Sequence, residues 1–239
     1  MNKITTLYRL NRYIAMCGVC SRRKADSLIK NGDIKINGKT VQELGYKVST
    51  NDSVTFKGKH IKIEKKRYIL LNKPKDYITT MNDEKGRKNV VTLIKNSYKE
   101  RLVPVGRLDR NTTGLLLFTN DGDLARTMSH PKFGVKKTYN IEIEKDLSLE
   151  HFEKIKSGVV LDDGVALIDE INYLGKKNKI SIQLHIGRNR IIRRIFEHFN
   201  YKVLKLDRTQ FSIFTKKNLQ IGKWRKITSH ELNEIKSIT

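Results

Sequence analysis

In LYRLNRYIAMCG (residues 7–18) apolar side chains recur at Leu7, Leu10, Ile14 and Ala15. That spacing predicts one face of a helix, which Gly18 is able to end. SRRKADSLIKN follows, with Ser21 placed to cap a second helix and Gly32 to close it. The period then changes. DIKINGKTVQ alternates, and Asn37-Gly38 at its centre is a strong hairpin signal. DSVTFKGKHIKI supplies more strand. Residues 1–62 therefore predict a small domain of two helices on a small sheet. Residues 63–67 read as a charged linker.

Residues 68–239 mix both periods. YILLNKPKDYITT opens as an apolar strand that Pro74 breaks, and VVTLIKN fits a short helix or strand. LLLFTN reads as a buried strand, DLARTMSHP as a helix stopped by Pro131, and KKTYNIEI as an alternating strand. LSLEHFEKIKSGV predicts a helix capped by Ser148 and ended near Gly158. ALIDEINYLG and KISIQLHI alternate as strands. NRIIRRIFEHFN gathers Ile191, Ile192, Ile195, Phe196 and Phe199 on one helical face, and YKVLKLD is a strand. There is no repeated strand–helix–strand unit. The expected class is α+β: a mixed, largely antiparallel sheet with flanking helices.

Charge changes the picture. The chain carries 49 Lys and Arg against 25 Asp and Glu, a formal net charge of +24. An excess of this size is the footprint of a polyanionic partner, nucleic acid first. Arg9, Arg12, Arg22, Arg23 and Lys24 fall on or between the first two helices, where phosphate contact is the expected use. A second basic cluster spans residues 185–226, including Arg188, Arg190, Arg193, Arg194 and Arg208, with only Glu197 and Asp207 opposing it. A structured RNA could bridge the two. No apolar run reaches the roughly 18 residues needed to span a bilayer, and the first residues lack a signal-peptide core. The expectation is a cytoplasmic monomer without a membrane partner.

Composition excludes several chemistries. There is no phosphate-loop motif, no dinucleotide fingerprint and no glycine-rich turn suited to a methyl donor. The six histidines show no metal-ligand spacing, so neither metal nor cofactor is expected. Cys17 and Cys20 form a C-x-x-C pair, but with no further ligands nearby they read as small packing residues in a reducing compartment.

GRLDRNTTGLLLFTNDGD, residues 106–123, sets one carboxylate, Asp109, between Arg107 and Arg110 at the mouth of a buried strand. Asp-Arg-Asn-Thr is good turn chemistry, and an Asx turn is sufficient reason for an aspartate there. The other reading is an ionised carboxylate, kept charged by flanking cations and able to act as nucleophile or base on a nucleoside.

The same stretch resembles the signature of the RsuA/RluB family of rRNA pseudouridine synthases, in its branch acting on the large ribosomal subunit. The pattern G-R-L-D-x-x-T-x-G-L-L-L-x-T-N-D-G is complete here. LLNKPKDYITT, KKTYNIEI and GRNRIIRRIFEHFNYKVLKLDR are similar to other motifs of that family. GVCSRRKADSLIKNGDIKINGK resembles a small RNA-binding domain first seen in a ribosomal protein.

The resemblance implies a catalytic domain over 68–239 behind an RNA-binding domain over 1–62. It implies isomerisation of one rRNA uridine, by cleavage of C1′–N1 and rejoining through C5, without cofactor. It places the catalytic aspartate at Asp109, acting on the sugar or on its 2′ proton. It places the ring that stacks on the flipped uracil at Tyr139, and the basic partner of the aspartate at Arg193. Arg107 would contact the RNA where the base left the stack, and Arg188, Asn189, Arg190, Arg194 and Arg208 fall in or near the C-terminal basic motif. The chain departs from the family pattern at Ile186, where glutamate is usual, at Lys205 for arginine and at Ile195 for methionine. The same chemistry on small-subunit rRNA or another large-subunit uridine, and a non-catalytic assembly factor, are the alternatives.

Overall fold

A computed structural model describes residues 6–238, and two compact units divide the chain between Arg67 and Tyr68.

In the first unit, helices Leu10–Met16 and Arg22–Lys30 accompany a four-stranded antiparallel sheet. Its order is Lys39–Thr40, Ile34–Ile36, Val54–Phe56, Lys59–His60. Ile14, Ala25, Ile29, Ile34, Val48 and Val54 fill the core. Ser21 accepts from the Lys24 N–H and caps the second helix as expected. Asn37 and Gly38 both take positive φ, which the tight hairpin requires. The first helix is shorter than its spacing predicts. Leu7–Arg9 is a strand paired with Lys47–Ser49, and Leu7 stays exposed, because strand pairing overrides a local helical period. Ile63 packs on this core and the Glu64 N–H donates to the Met16 carbonyl, so part of the charged stretch is held against the first unit.

The second unit is built on a nine-stranded sheet. Its main path runs Glu170–Leu174, Lys176–Leu184, Lys137–Ile143, Val203–Phe211, Thr113–Thr119, Tyr68–Lys73, Trp224–Lys226. All neighbours on it are antiparallel except Val203–Phe211 with Thr113–Thr119, which run parallel. The α+β expectation therefore holds.

Central strands bury both faces, which is why they read as unbroken apolar runs. Leu71, Leu116 and Phe118 join a core with Ile195 and Phe196 of helix Ile191–His198. Leu70, Leu115 and Leu117 face a second core with Leu124 and Met128 of helix Gly122–Ser129 and Ile235 of helix Ser229–Ile238. The stretch expected as one strand, ALIDEINYLG, is divided: Gly164–Ala166 closes a hairpin with Val159–Leu161, and Glu170–Leu174 joins the main sheet. The strand Trp224–Lys226 and the helix after it carry no strong period of their own and are fixed by docking.

The parallel pair decides where the site forms. Gly114 pairs with Arg208 at φ +107°, and a Cβ on it would come within 2.3 Å of the Arg208 carbonyl oxygen. Only glycine admits so close an approach. The approach sets the loop carrying Asp109 beside Tyr139, which pairs with Arg208 from the other side.

Candidate active site

A cleft of about 250 Å³ opens over this junction. Asp109, Arg107, Thr112, Tyr139, Arg188, Asn189 and Arg190 line it, with Leu108, Ile191, Ile192 and Leu206 as apolar walls. Residues expected on separate motifs are thus brought to one place.

Asp109 sits on a loop tied down from several sides. The Thr112 N–H donates to the Asp109 carbonyl at 3.1 Å, an ordinary backbone β-turn over residues 109–112. The Thr79 hydroxyl donates to the Leu108 carbonyl at 2.7 Å and accepts from the Leu108 N–H at 3.2 Å. The ammonium of Lys73, which is fully buried, donates to the carbonyls of Thr112 (2.7 Å), Pro74 (3.0 Å) and Arg110 (3.3 Å). Burial pushes the pKa of Lys73 down to about 8, against the pull of Asp109 and Asp76. The turn is thus closed by backbone atoms and not by the carboxylate, as an Asx turn would have it, and the carboxylate is left 37% exposed in the cleft.

The cation facing that carboxylate is Arg190, whose Nη1 is 4.0 Å from Asp109 Oδ2. Arg190 is held in the left-handed region, φ 47° and ψ 32°, as the N-cap of helix Ile191–His198. Its guanidinium lines the cleft and also reaches along the helix, donating from Nη2 to Glu197 Oε1 at 3.3 Å, so it lies between two carboxylates. Arg193, expected as the partner of the aspartate, is buried behind the loop. Its Nη1 donates to the Val203 carbonyl at 3.0 Å and its Nη2 to the Asn111 carbonyl at 3.5 Å, while its Nε has no partner. Burial works against its charge, Arg190 adds to that, and Asp109 opposes it. Arg193 is thus close enough to feel Asp109 electrostatically without forming an ion pair with it.

Tyr139 is buried at 9% exposure and lines the cleft. Its strand begins at Lys137, whose buried ammonium donates to the carbonyls of Val135 (2.9 Å) and His185 (3.0 Å). Burial, then the charge of Arg208, lower its pKa to about 8, and Asp169 opposes them. Lys73 thereby anchors the wall that carries Asp109, and Lys137 anchors the root of the wall that carries Arg190. Neither lysine was singled out in the sequence; a lysine closing an apolar run is the available signal for Lys73, whereas Lys137 opens an alternating strand and carries none.

The residues expected to contact RNA divide by depth. Arg107, Asn189 and Arg190 are exposed, and Arg188 and Arg194 are half-buried at the cleft rim and on its helix. Arg208 does not lie at the surface, as an RNA contact would require. It is 3% exposed, donates through Nε to the Leu115 carbonyl at 2.7 Å, and stacks on Phe211. Its role here is to bind neighbouring strands. In the first unit Arg9, Arg22, Arg23 and Lys24 are exposed, and Arg12 lies over the Tyr8 ring at 5.5 Å. Arg22, Arg23 and Lys24 occupy the first turn of their helix, where positive charge opposes the helix dipole. Such a cluster is electrostatically costly alone and favourable with a bound phosphate.

Cys17 and Cys20 are not joined in a disulfide, and burial, with Glu64 nearby, pushes Cys17 up to about 12. That suppresses the thiolate. Among the described residues no group of three His, Cys, Asp or Glu side chains is arranged to hold a metal ion, and no helix is long and apolar enough to cross a membrane.

Two family models match the chain. Residues 67–198 match the RNA pseudouridylate synthase model, and residues 9–54 match the S4 domain. A Bacillus subtilis (strain 168) protein named ribosomal large subunit pseudouridine synthase B is 39% identical, covering 96% of both chains. An RNA pseudouridine synthase of uncharacterised role from Aquifex aeolicus (strain VF5) is 40% identical, over 95% of this chain and 93% of the other. A crystal structure of a pseudouridylate synthase superposes with a TM-score of 0.68, covering 97% of this chain and 99% of that one at 24% identity, and so shares the fold.

Proposed function

Because the chain belongs to the RNA pseudouridylate synthase family, we propose that it converts one uridine of ribosomal RNA, in the large subunit, to pseudouridine. The observation that carries this reading is the meeting of Asp109, Tyr139 and Arg190 in one cleft whose rim is arginine. The large-subunit target is supported by the name of the Bacillus subtilis relative.

The target base cannot reach this slot from inside a helix, so it leaves the stack, at a cost of a few kcal/mol. The apolar walls and Tyr139 take the uracil, and stacking of a base on an aromatic ring returns about 1–3 kcal/mol. Arg107, Arg188 and Arg190 meet the displaced backbone. Asp109 then acts on the ribose, as nucleophile at C1′ or as base at the 2′ position. The C1′–N1 bond breaks, the base turns, C5 bonds to C1′, and the C5 proton leaves while N1 gains one. Atoms balance within the nucleoside, so no co-substrate is consumed. Arg190 supports the ionised carboxylate from the front, and Arg193 adds positive potential from behind. The exposed cations of the S4 domain add sequence-independent hold on the same RNA and raise the local concentration of the target.

The test is pseudouridine mapping of rRNA in a strain lacking the endogenous enzyme, complemented with wild type or Asp109→Asn. Conversion of one large-subunit uridine by wild type alone is expected. Identical maps would remove Asp109 as catalyst and favour an assembly factor. A site in small-subunit rRNA would keep the chemistry and overturn the target.

A further inference from the structure

The hairpin Val159–Leu161/Gly164–Ala166 carries two acids at its turn, Asp162 and Asp163, in a chain with net charge +24. Its turn lies against the arginines of the cleft rim. Arg194 grips Asp163 with both ends of its fork, Nη2 to Oδ1 at 2.8 Å and Nη1 to Oδ2 at 2.9 Å. Arg188, which lines the cleft, reaches the same Oδ1 from Nη1 at 3.5 Å and donates to the Gly164 carbonyl at 2.7 Å. Two guanidinium groups thus converge on one anionic oxygen.

We propose that Asp163 occupies a phosphate site formed by Arg188 and Arg194, and that the phosphodiester of an entering RNA displaces it. The inference rests on the RNA-modifying reading above and adds the regulation of that site. Three observations carry it. A carboxylate and a phosphodiester present the same pair of oxygens to a guanidinium fork, so the geometry that holds one holds the other. The hairpin does not depend on this contact for its fold: Val159 pairs with Ala166, and both are buried in the core. The turn beyond them is solvated, with Asp163 46% exposed and Val160 and Val165 standing out in solvent, and ion pairs so exposed exchange readily. In the free protein the acidic tip neutralises arginines that would otherwise attract any polyanion. RNA able to engage the rest of the cleft outcompetes it.

The experiment measures binding of in-vitro-transcribed large-subunit rRNA by filter retention at low salt. Asp163→Asn keeps the shape of the tip and removes its charge. It is expected to bind about two- to fivefold tighter, the factor an exposed ion pair is worth. Arg194→Ala is expected to weaken the Asp163→Asn protein more than the wild type, because only there is Arg194 fully available. Unchanged or weaker binding by Asp163→Asn, or an equal cost of Arg194→Ala in both backgrounds, overturns the proposal. Hydrogen exchange on the wild type gives an independent readout: amides at residues 160–165 are expected to exchange faster with rRNA bound, and unchanged or slower exchange overturns it. Pseudouridine formation is scored on the same preparation. Conversion by wild type without tightening sinks the displaced-carboxylate idea alone, and tightening without conversion sinks the enzyme reading alone.

Discussion

Arg190 faces Asp109 at 4.0 Å, while Arg193, in the first turn of the helix that Arg190 caps, turns inward to the carbonyls of Val203 and Asn111. The two arginines have different work. One is presented to the solvent of the cleft, and the other braces the loop from beneath.

Arg190→Ala is therefore expected to lower kcat/KM for rRNA about tenfold, the scale of a partly screened charge pair at this distance. Its melting temperature stays near wild type because the side chain is exposed. Arg193→Ala leaves two carbonyls without their donors, and is expected to melt several degrees lower, by about 1–3 kcal/mol for each group left unpaired. Steady-state kinetics and thermal melts on both variants decide the matter. Wild-type kcat/KM in Arg190→Ala would show that this contact has no part in the reaction.

Gly114→Ala tests the parallel junction. The added methyl would meet the Arg208 backbone at 2.3 Å, at a φ that alanine rarely adopts. We expect a loss of more than about 3 kcal/mol, from overpacking and backbone strain together. The readout is the denaturant midpoint or, at the extreme, absence of soluble protein. A midpoint equal to wild type would mean the strands accommodate a side chain there.

Lys73→Met separates anchoring from titration. The native pKa of Lys73 is about 8, below its ordinary 10.5. Between those values the unfolded chain holds the proton and the native chain does not, so stability contributed by this group rises with pH. Below about pH 8 both states are protonated and the contribution is flat. The melting temperature of wild type relative to Lys73→Met should thus climb from about pH 8 to 10.5. Activity at neutral pH should fall about tenfold or more, because the loop holding Asp109 loses the donor to three carbonyls. A pH-independent difference in melting temperature would place the titration elsewhere.

Much of this was legible in the residues. Asn37-Gly38 fixed a hairpin because few residue pairs accept positive φ twice in succession. Ser21 and Ser148 marked helix starts because their hydroxyls meet otherwise unpaired N–H groups. The apolar runs LLLFTN and YILLNK marked central strands because they are buried on both faces. Asp109 and Tyr139 were named from motifs, and both line the cleft.

Other features had no local cause to read. Leu7–Arg9 is a strand because Lys47–Ser49 lies beside it, although its own period is helical. Arg208 looks like any other arginine in a basic stretch, and only the sheet around it reveals a buried strand-to-strand clamp. That Arg190 lies at ion-pair distance from Asp109 while Arg193 turns to backbone carbonyls depends on where the helix begins, at the left-handed Arg190. Period, caps and turn residues act through the backbone of a few neighbours, so the chain alone determined most of its elements and singled out the carboxylate that lines the cleft. Burial, the pairing of Gly114 with Arg208, and the distance between charges depend on residues far apart in sequence, and these only the tertiary structure decided.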